Sequence, residues 1–496
     1  MSKNQKFITS EAVSEGHPDK LADRISDAIL DAYLAVDPNA KVACEILITT
    51  GKVIIAGEIS ASAKPEIPLI EIARDVLRQT GYTSEAVGFD CETATYLDLT
   101  HTQSPEISSS VAHGGAGDQG VMFGFACDET SQLMPLAITI SHEILNVLAQ
   151  KRKTGEMPFL RPDAKSQVTV RYEFGKPRAA HVVIVSTQHD ETINKNRLRE
   201  IIEEQVVSPV LEKHFGTGNA MILINPSGSF TVGGPHGDTG LTGRKIIVDT
   251  YGSACPHGGG AFSGKDGSKV DRSAAYMARF VAKHIVAAGL ASKCTVQLSY
   301  GIAIESPLSI DIDLHDTSIY AESRVSKACQ RIFDLRPSQI IEKLGLKKPI
   351  FFATASGGHF GREEFPWEQL DAQIIEALQS DEEIRLDESE IDRRTNAQKE
   401  FDMKKKYSLQ TNQELIDTFN QVGAMPFETI PPSATLAVKI IHQELYQRGI
   451  DCELINRRND RGNITGCAFT IPIKIEDING KPTLVRANDL THTENN

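Results

Sequence analysis

His257–Gly258–Gly259–Gly260–Ala261–Phe262–Ser263–Gly264–Lys265–Asp266–Gly267–Ser268–Lys269–Val270–Asp271 stands directly ahead of an apolar-periodic stretch that the spacing predicts as a helix over Arg272–Ala288. Five glycines, two lysines and two aspartates share these fifteen residues. Glycines let a backbone pass close to a ligand and turn its N–H groups toward it. Lysines neutralise phosphate, and the start of a helix adds a partial positive charge. A carboxylate beside two lysines can bring a divalent cation that bridges phosphate oxygens. The stretch therefore reads as a polyphosphate–Mg²⁺ site. A flexible charged surface loop is the plainer alternative, but it gives no reason to hold Lys265 and Lys269 among aspartates at this spacing.

Two short patterns carry less than they suggest. Gly259–Lys265 reads GxxxxGK, yet Asp266 stands where a phosphate-binding loop of the Walker kind needs Ser or Thr, and no strand runs into it. Gly115–Gly120 reads GxGxxG, but Val121–Cys127 behind it looks like a strand, whereas a dinucleotide fingerprint needs a helix there.

The wider chain repeats itself. Leu21, Ile25, Ala28, Ile29 and Ala32 mark a helix after His17–Pro18–Asp19–Lys20. Strand-like runs Lys41–Thr49 and Val53–Ile59 follow, then a helix over Ile67–Thr80. The same order returns as helix Met134–Arg152, strands Gln167–Phe174 and Ala180–Thr187, and helix Asn196–Leu211. It returns again as Arg272–Ala288, Thr295–Ile304 with Leu308–Leu314, and Ser318–Phe333. The period is too long for a solenoid. It implies an α+β protein of three related domains, each laying helices on a small sheet, with expected boundaries 1–103, 114–232 and 233–370, followed by a charged linker and small α+β appendage over 371–496. Two helix starts of the three are loaded with chemistry, at His17–Asp19 and Lys265–Asp271. In the middle copy the cluster Asp163–Ala164–Lys165 is expected ahead of the first strand instead. Asp19, Asp23, Asp27 and Asp31 recur every fourth residue, and for Asp27 and Asp31 a solvated face is the expectation. Arg244–Lys245, on a glycine turn after Gly233–Gly243 and before an expected strand Ile246–Thr250, is a second cationic clamp.

Bulk properties narrow the class. A net charge of −14 over 496 residues argues against a general nucleic-acid binder. Eight cysteines without paired metal-ligand spacing suit free thiols in a reducing compartment. No apolar h-region follows Met1–Lys6, and no run is long enough to cross a bilayer, so neither a secretory leader nor a membrane partner is expected and a cytoplasmic location is.

Gly16–Ala32, Gly115–Ala126, Arg161–Val170, Gly237–Gly252, His257–Tyr276 and Gly358–Glu368, taken in this order, strongly resemble the S-adenosylmethionine synthetase (methionine adenosyltransferase) family. The resemblance implies three α+β domains, a homodimer or homotetramer with active sites between subunits, ATP and L-methionine as substrates, and two Mg²⁺ per site with K⁺. It implies attack of the methionine sulfur on C5′ of ATP, then hydrolysis of the triphosphate to phosphate and pyrophosphate. By match to the family motifs, His17 meets the bridging region of the triphosphate; Lys165, Arg244, Lys245 and Lys265 grip phosphates; Asp19 and Asp271 hold Mg²⁺; Glu45 serves K⁺, or else is an inward glutamate paired with a buried base. Lys269, Asp238, Glu58 and Gln103 place methionine, and Asp118 lines the sulfonium region. Asp163, Ser229, Phe230, Ala261 and Asp238 line the nucleotide, with Phe230 either stacked on adenine or an ordinary core residue.

The chain departs from the family pattern in three places. Ser229 stands where Arg or Lys is usual, the Ser104–Gly115 loop is short, and the chain continues beyond Gln369 without family motifs. These departures keep two other readings in view: a paralogue with altered thioether or nucleotide specificity, and a non-catalytic regulatory paralogue working through the extension. In that extension Asp381–Lys406 reads as an exposed helix or linker, Gln413–Gln421 and Ala434–Gln447 as helices, and Asp451–Asn456 and Gly466–Ile475 as strands about a turn at Arg457–Asn463.

Overall fold

The computed structural model describes residues 5–102, 115–173, 175–216 and 218–384, with short pieces between Gln410 and Arg486. Two compact units result, one of Gln5–Arg385 and one of Leu386–Asn496 with Met1–Asn4.

Within the large unit the fold is α+β and the repeat is visible in three dimensions. Strand β1 (Gln5–Val13) leads to helix α1 (Pro18–Val36), the hairpin β2 (Lys41–Thr49) and β3 (Lys52–Ser60), helix α2 (Leu69–Thr80) and strand β4 (Thr95–His101). The order recurs as β5 (Gly120–Cys127), α3 (Leu136–Lys153), β6 (Leu160–Glu173), β7 (Lys176–His189), α4 (Lys195–Ile202), α5 (Ser208–Phe215) and β8 (Met221–Ile224). It recurs once more as β9 (Gly240–Leu241), α6 (Val270–Ala287), β10 (Lys293–Tyr300), β11 (Ser309–Asp313) and α7 (Glu322–Ile332). Alternation decides which face of each hairpin is covered. Val42, Cys44, Ile46 and Ile48 on β2, with Val53 and Ile55 on β3, are buried under Leu21, Ile25 and Ile29 of α1. Helix α3 covers β6 and β1 in the same way, and α6 covers β5 and β10. Helices α4 and α5 join through a π-helical turn, Glu203–Val207, because Pro209 has no N–H for the regular ladder.

The sheets are not built from one segment each. Their orders are β9-β2-β3-β4, β1-β6-β7-β8 and β5-β10-β11. Each antiparallel hairpin takes its edge strand from elsewhere in the chain. Strand β1 pairs antiparallel with β6 (Val13 opposite Lys165), β5 with β10 (Gly124 opposite Val296), and β9 with β2 (Gly240 opposite Ile48). The first segment serves the second, the second serves the third, and the third serves the first.

Some local expectations change. Ile246–Thr250 is not a strand; Ile246–Asp249 makes a single helical turn, closed by the Asp249 N–H to the Lys245 carbonyl (2.9 Å). Asp163–Ala164–Lys165 lies inside β6, not ahead of it, where the pairing with β7 slips between Leu160 and Ala164, and Pro162 is tolerated at that irregularity. The acidic row of α1 is not a solvated face. Asp27 is fully buried and Asp31 is partly buried. All four carboxylates accept backbone N–H groups from the third segment: Asp19 from Leu241 (3.0 Å), Asp23 from Gly243 (2.8 Å), Asp27 from Gly264 (2.8 Å), and Asp31 from Phe351 (3.0 Å) and Phe352 (2.8 Å). Asp23 and Asp249 also enclose the fully buried Lys20 ammonium.

The large unit runs past Leu370. Helix α8 (Pro337–Lys343) and helix α9 (Ala372–Ser380) close it; the Asp371 N–H meets His284 Nε2 (2.8 Å), and Arg331 pairs with Asp381 (2.8 Å) and Glu383 (2.5 Å). In the second unit, Asn456–Arg458 pairs with Ile464–Cys467 and Ile473–Ile478 with Lys481–Arg486, both antiparallel. Arg457 and Arg458, expected in the turn, therefore lie in a strand, and the second hairpin is one that local patterning did not anticipate. Of the expected helices Gln413–Gln421 and Ala434–Gln447, the described residues Glu414, Leu415, Asp417 and Thr418 and then Ala437, Ile440 and Ile441 are helical, and most of Asp381–Lys406 falls outside the described residues.

A chain ending at Arg385 is expected to keep the urea midpoint of the large unit. One ending at Leu370 loses Leu378 and Ile384, both buried. It should be less stable by about 3–6 kcal/mol, at roughly 1.5–3 kcal/mol per buried aliphatic side chain. Equal midpoints for the two truncations would show that α9 adds nothing to this unit.

Candidate active site

Two charged clusters form where the third segment meets α1. The first surrounds the start of α1. His17 is its N-cap, buried, with Nδ1 accepting the Asp19 N–H at 3.2 Å. Burial, then Lys245 and Lys165, push its pKa down to about 3, so the ring is neutral and carries its proton on Nε2. Asp19 receives Lys245 Nζ at 2.5 Å, with Arg244 at 3.6 Å. Burial alone would raise the Asp19 pKa, but the Lys245 and Leu241 hydrogen bonds outweigh it and hold it below the ordinary carboxylate range. Lys165 is exposed on β6, and its ammonium has no acceptor among the described residues. Asp163, two residues before it, is buried; one oxygen accepts the Gly234 N–H (2.9 Å) and the other has no partner. Asp238, at the end of the helical turn Gly234–Gly237, is exposed, as is Ser229. Phe230 is half-buried, held by its own N–H to His189 Nε2 (3.1 Å) and lying so close that a side chain on Gly233 would strike it.

The second cluster is the glycine-rich loop. It extends the edge of β2, with Cys44 N–H to the Gly264 carbonyl (2.9 Å) and Asp266 N–H to the Val42 carbonyl (3.1 Å). Asp266, the mismatch to a Walker loop, is a turn residue: its carboxylate accepts the N–H groups of Val42 and Ser268, both at 2.8 Å. Gly264 has φ +78°, and a Cβ there would fall 2.0 Å from the Cys44 carbonyl, so only glycine fits. Lys265 Nζ meets Asp271 at 2.6 Å, and Lys269 Nζ lies 3.7 Å from Asp266. Ala261 sits against Gly243, beside Arg244. On the outward face of the neighbouring sheet, Glu45 is exposed and in no ion pair among the described residues, so it is not an inward glutamate; Glu58 lies 3.5 Å from His101. Asp118 is exposed and accepts the Gln119 N–H (2.8 Å). Gln103 and residues 104–114 of the short loop lie outside the described residues.

The two clusters share one feature, although Lys245 comes from a distant loop and Lys265 from the loop that leads into α6 itself. Asp19 is the second residue of α1, Asp271 is the second residue of α6, and each is paired with a lysine. On α3 the same position is Ala137. No group of three His, Cys, Asp or Glu side chains converges among the described residues. Single carboxylates suit Mg²⁺ that takes its remaining ligands from phosphate oxygens and water, and do not suit an all-protein metal cage.

Residue-by-residue reading missed the buried layer behind the clusters. Lys20, Asp23, Asp249, Asp27 and Arg272 are all buried there, and only the four-residue spacing of the aspartates hinted at it. Asp163 offers a test. Burial raises its pKa to about 6, so its ionised form opposes folding above that pH and not below the ordinary carboxylate value near 4. Asp163→Asn should therefore gain on the order of 3 kcal/mol over the parent above pH 6, at about 1.4 kcal/mol per unit, with the gain vanishing toward pH 4. Urea midpoints of both proteins across pH 4–7.5 check this; a constant difference would contradict it.

Family models for the N-terminal, central and C-terminal domains of S-adenosylmethionine synthetase match residues 5–105, 113–230 and 232–369. The S-adenosylmethionine synthase of Sulfurovum sp. (strain NBC37-1) is 52% identical over 375 residues, covering 74% of this chain and 97% of that protein. Those of Helicobacter pylori (strain ATCC 700392 / 26695) and Wolinella succinogenes are each 51% identical, over 383 and 380 residues, covering 76% and 75% of this chain and 99% and 98% of their own lengths. About a quarter of this chain thus extends beyond what such relatives contain. Three family domains in order, and half the residues identical along nearly the whole of each relative, place the chain in the S-adenosylmethionine synthetase family of methionine adenosyltransferases.

Proposed function

We propose that the chain makes S-adenosylmethionine from ATP and L-methionine. A thioether lone pair forms the S–C5′ bond, the C5′–O bond breaks with its electrons leaving on the triphosphate, and the intact triphosphate is then hydrolysed to pyrophosphate and phosphate. The observation that carries this reading is the duplicated aspartate–lysine pair at the starts of α1 and α6. The nucleophile belongs to the substrate, so the protein's task is to position reactants and stabilise charge on the leaving triphosphate. Without nucleotide, each lysine neutralises its aspartate. With nucleotide, Lys245 and Lys265 turn to phosphate, joined by Lys165 and Arg244, and Asp19 and Asp271 are released toward Mg²⁺. The neutral His17 ring offers an Nε2–H donor to the triphosphate without adding a charge. Bound Mg²⁺ supplies further neutralisation of the phosphate oxygens. Asp163, Ser229, Phe230, Ala261 and Asp238 form the nucleotide wall; Lys269, Asp238, Glu58, Gln103 and Asp118 place methionine; Glu45 serves K⁺.

The assembly in this reading is a homodimer or dimer of dimers with the site between subunits. Its support is the outward face of the first sheet. Leu47, Ile54 and Leu97 stand in register, Ala56 is beside Leu99, and the rows continue into Glu45 and Glu58. Leu97 and Leu99 are 44% and 59% exposed, an apolar surface beside candidate site carboxylates that a second copy would cover. Among the described residues no helix is long and apolar enough to cross a membrane. A cytoplasmic site of action belongs to this reading.

Incubation with ATP, methionine, Mg²⁺ and K⁺ should yield S-adenosylmethionine with phosphate and pyrophosphate. Release of ADP or AMP, or turnover indifferent to methionine, would overturn the reading. Lys265→Ala should lower kcat by roughly 10²–10³, the range for removing one transition-state donor. A near-normal rate in that variant would remove Lys265 from the mechanism.

A further inference from the structure

The glycine-rich loop is held by a buried ion pair that no surface feature explains. Arg272 and Asp27 are both fully buried, and their guanidinium–carboxylate contact is bidentate, at 2.7 and 2.9 Å. Every Arg272 nitrogen is occupied. Nε donates to the Tyr276 hydroxyl (3.0 Å) and Nη2 to the Thr354 hydroxyl (2.9 Å). Nη1 also donates to the carbonyls of Phe262 (3.0 Å) and Lys265 (3.2 Å). Asp27 meanwhile accepts the Gly264 N–H at 2.8 Å. The backbone on both sides of Lys265 thus ends in this one pair. Arg272 follows Asp271 directly in α6, and Asp27 lies on α1, so the pair also joins the two helices whose starts carry the aspartate–lysine sites.

We propose that the Asp27–Arg272 pair is a positioning device for Lys265, setting where its ammonium lies relative to Asp271 and the triphosphate. Neither residue reaches substrate, so neither is catalytic. A buried ion pair adds little net stability against its desolvation. What it supplies is geometry: a planar fork that fits one carboxylate and two loop carbonyls together, which a lysine ammonium cannot reproduce. A displacement of about 1 Å in a group acting on a leaving charge can cost on the order of 10²-fold in rate. The loop is also tied to the edge of β2 through Cys44, Val42 and Asp266, and the ion pair adds the hold on the Phe262 and Lys265 carbonyls that those contacts leave free.

The inference rests on the triphosphate role given to Lys265, and a double-mutant cycle on the full chain separates the two. Arg272→Lys keeps the charge and should lower kcat by about 10–100-fold with a smaller change in the KM for ATP. In a Lys265→Ala background the same substitution should change kcat by less than about threefold, because nothing remains to be positioned. An equal loss in both backgrounds would show a merely structural role and overturn the proposal while leaving the Lys265 role intact. If Lys265→Ala alone keeps a normal rate, the mechanistic reading fails and the proposal falls with it. Should Arg272→Lys not fold, Thr354→Val removes the hydroxyl that meets Nη2, together with its bond to the Phe351 carbonyl (2.7 Å), and keeps the ion pair. It should show a smaller loss, about three- to tenfold, that also disappears without Lys265, and persistence of that loss would count against the proposal.

Discussion

A row of buried carboxylates on one helix is the constraint from which the site follows. Removing aspartates from water is costly unless hydrogen-bond donors meet them. On α1 the donors are N–H groups of Leu241, Gly243, Gly264, Phe351 and Phe352, all from the third segment. Successive aspartates are about 6 Å apart along the helix axis, four residues at about 1.5 Å each. The helix is therefore a ruler against which distant loops are laid. The loop bearing Arg244–Lys245 and the loop bearing Lys265 take their separation from it. Cations meet three of the four: Lys20 lies between Asp23 and Asp249, Arg272 answers Asp27, and Lys245 answers Asp19.

The duplicated aspartate–lysine pairs connect this scaffold to chemistry. Without nucleotide, each pair satisfies itself, so four potential ligands wait without strong mutual repulsion. On the proposed function, a polyphosphate and its metal replace both pairs at once, exchanging two local contacts for contacts that grow stronger as charge moves onto the leaving oxygen. The missing third pair, where Ala137 stands on α3, leaves two polar helix starts in a molecule built from three copies.

Much of this was legible before any coordinates. Helices with long apolar periodicity, such as Leu21–Ile29, and hairpins with clean alternation, such as Val42–Ile48, are encoded locally, and the composition of the glycine–lysine loop is the ground on which the proposed phosphate role rests. What failed to show was non-local or ambiguous. A four-residue acidic spacing describes a solvated stripe as well as a buried one, and Arg272, the residue that decides the matter for Asp27, lies 245 positions away. Ile246–Asp249 is too short for its apolar run to choose between strand and helical turn. Asp266 looked like a defect in a phosphate loop because its partner, the Val42 N–H, belongs to another segment. Strand exchange leaves no trace in periodicity at all.

That exchange governs how such a chain can be made. Strand β1 is synthesised well before its partner β6, which begins at Leu160, and the open edge of β2 waits for Gly240–Leu241 and the loop after it. Unpaired strand edges invite pairing with other chains. As it is synthesised, this protein must hold the β1 edge unpaired until Leu160–Glu173 is out and the β2 edge unpaired until Gly240–Leu241 is out, so the first segment cannot settle independently of the other two.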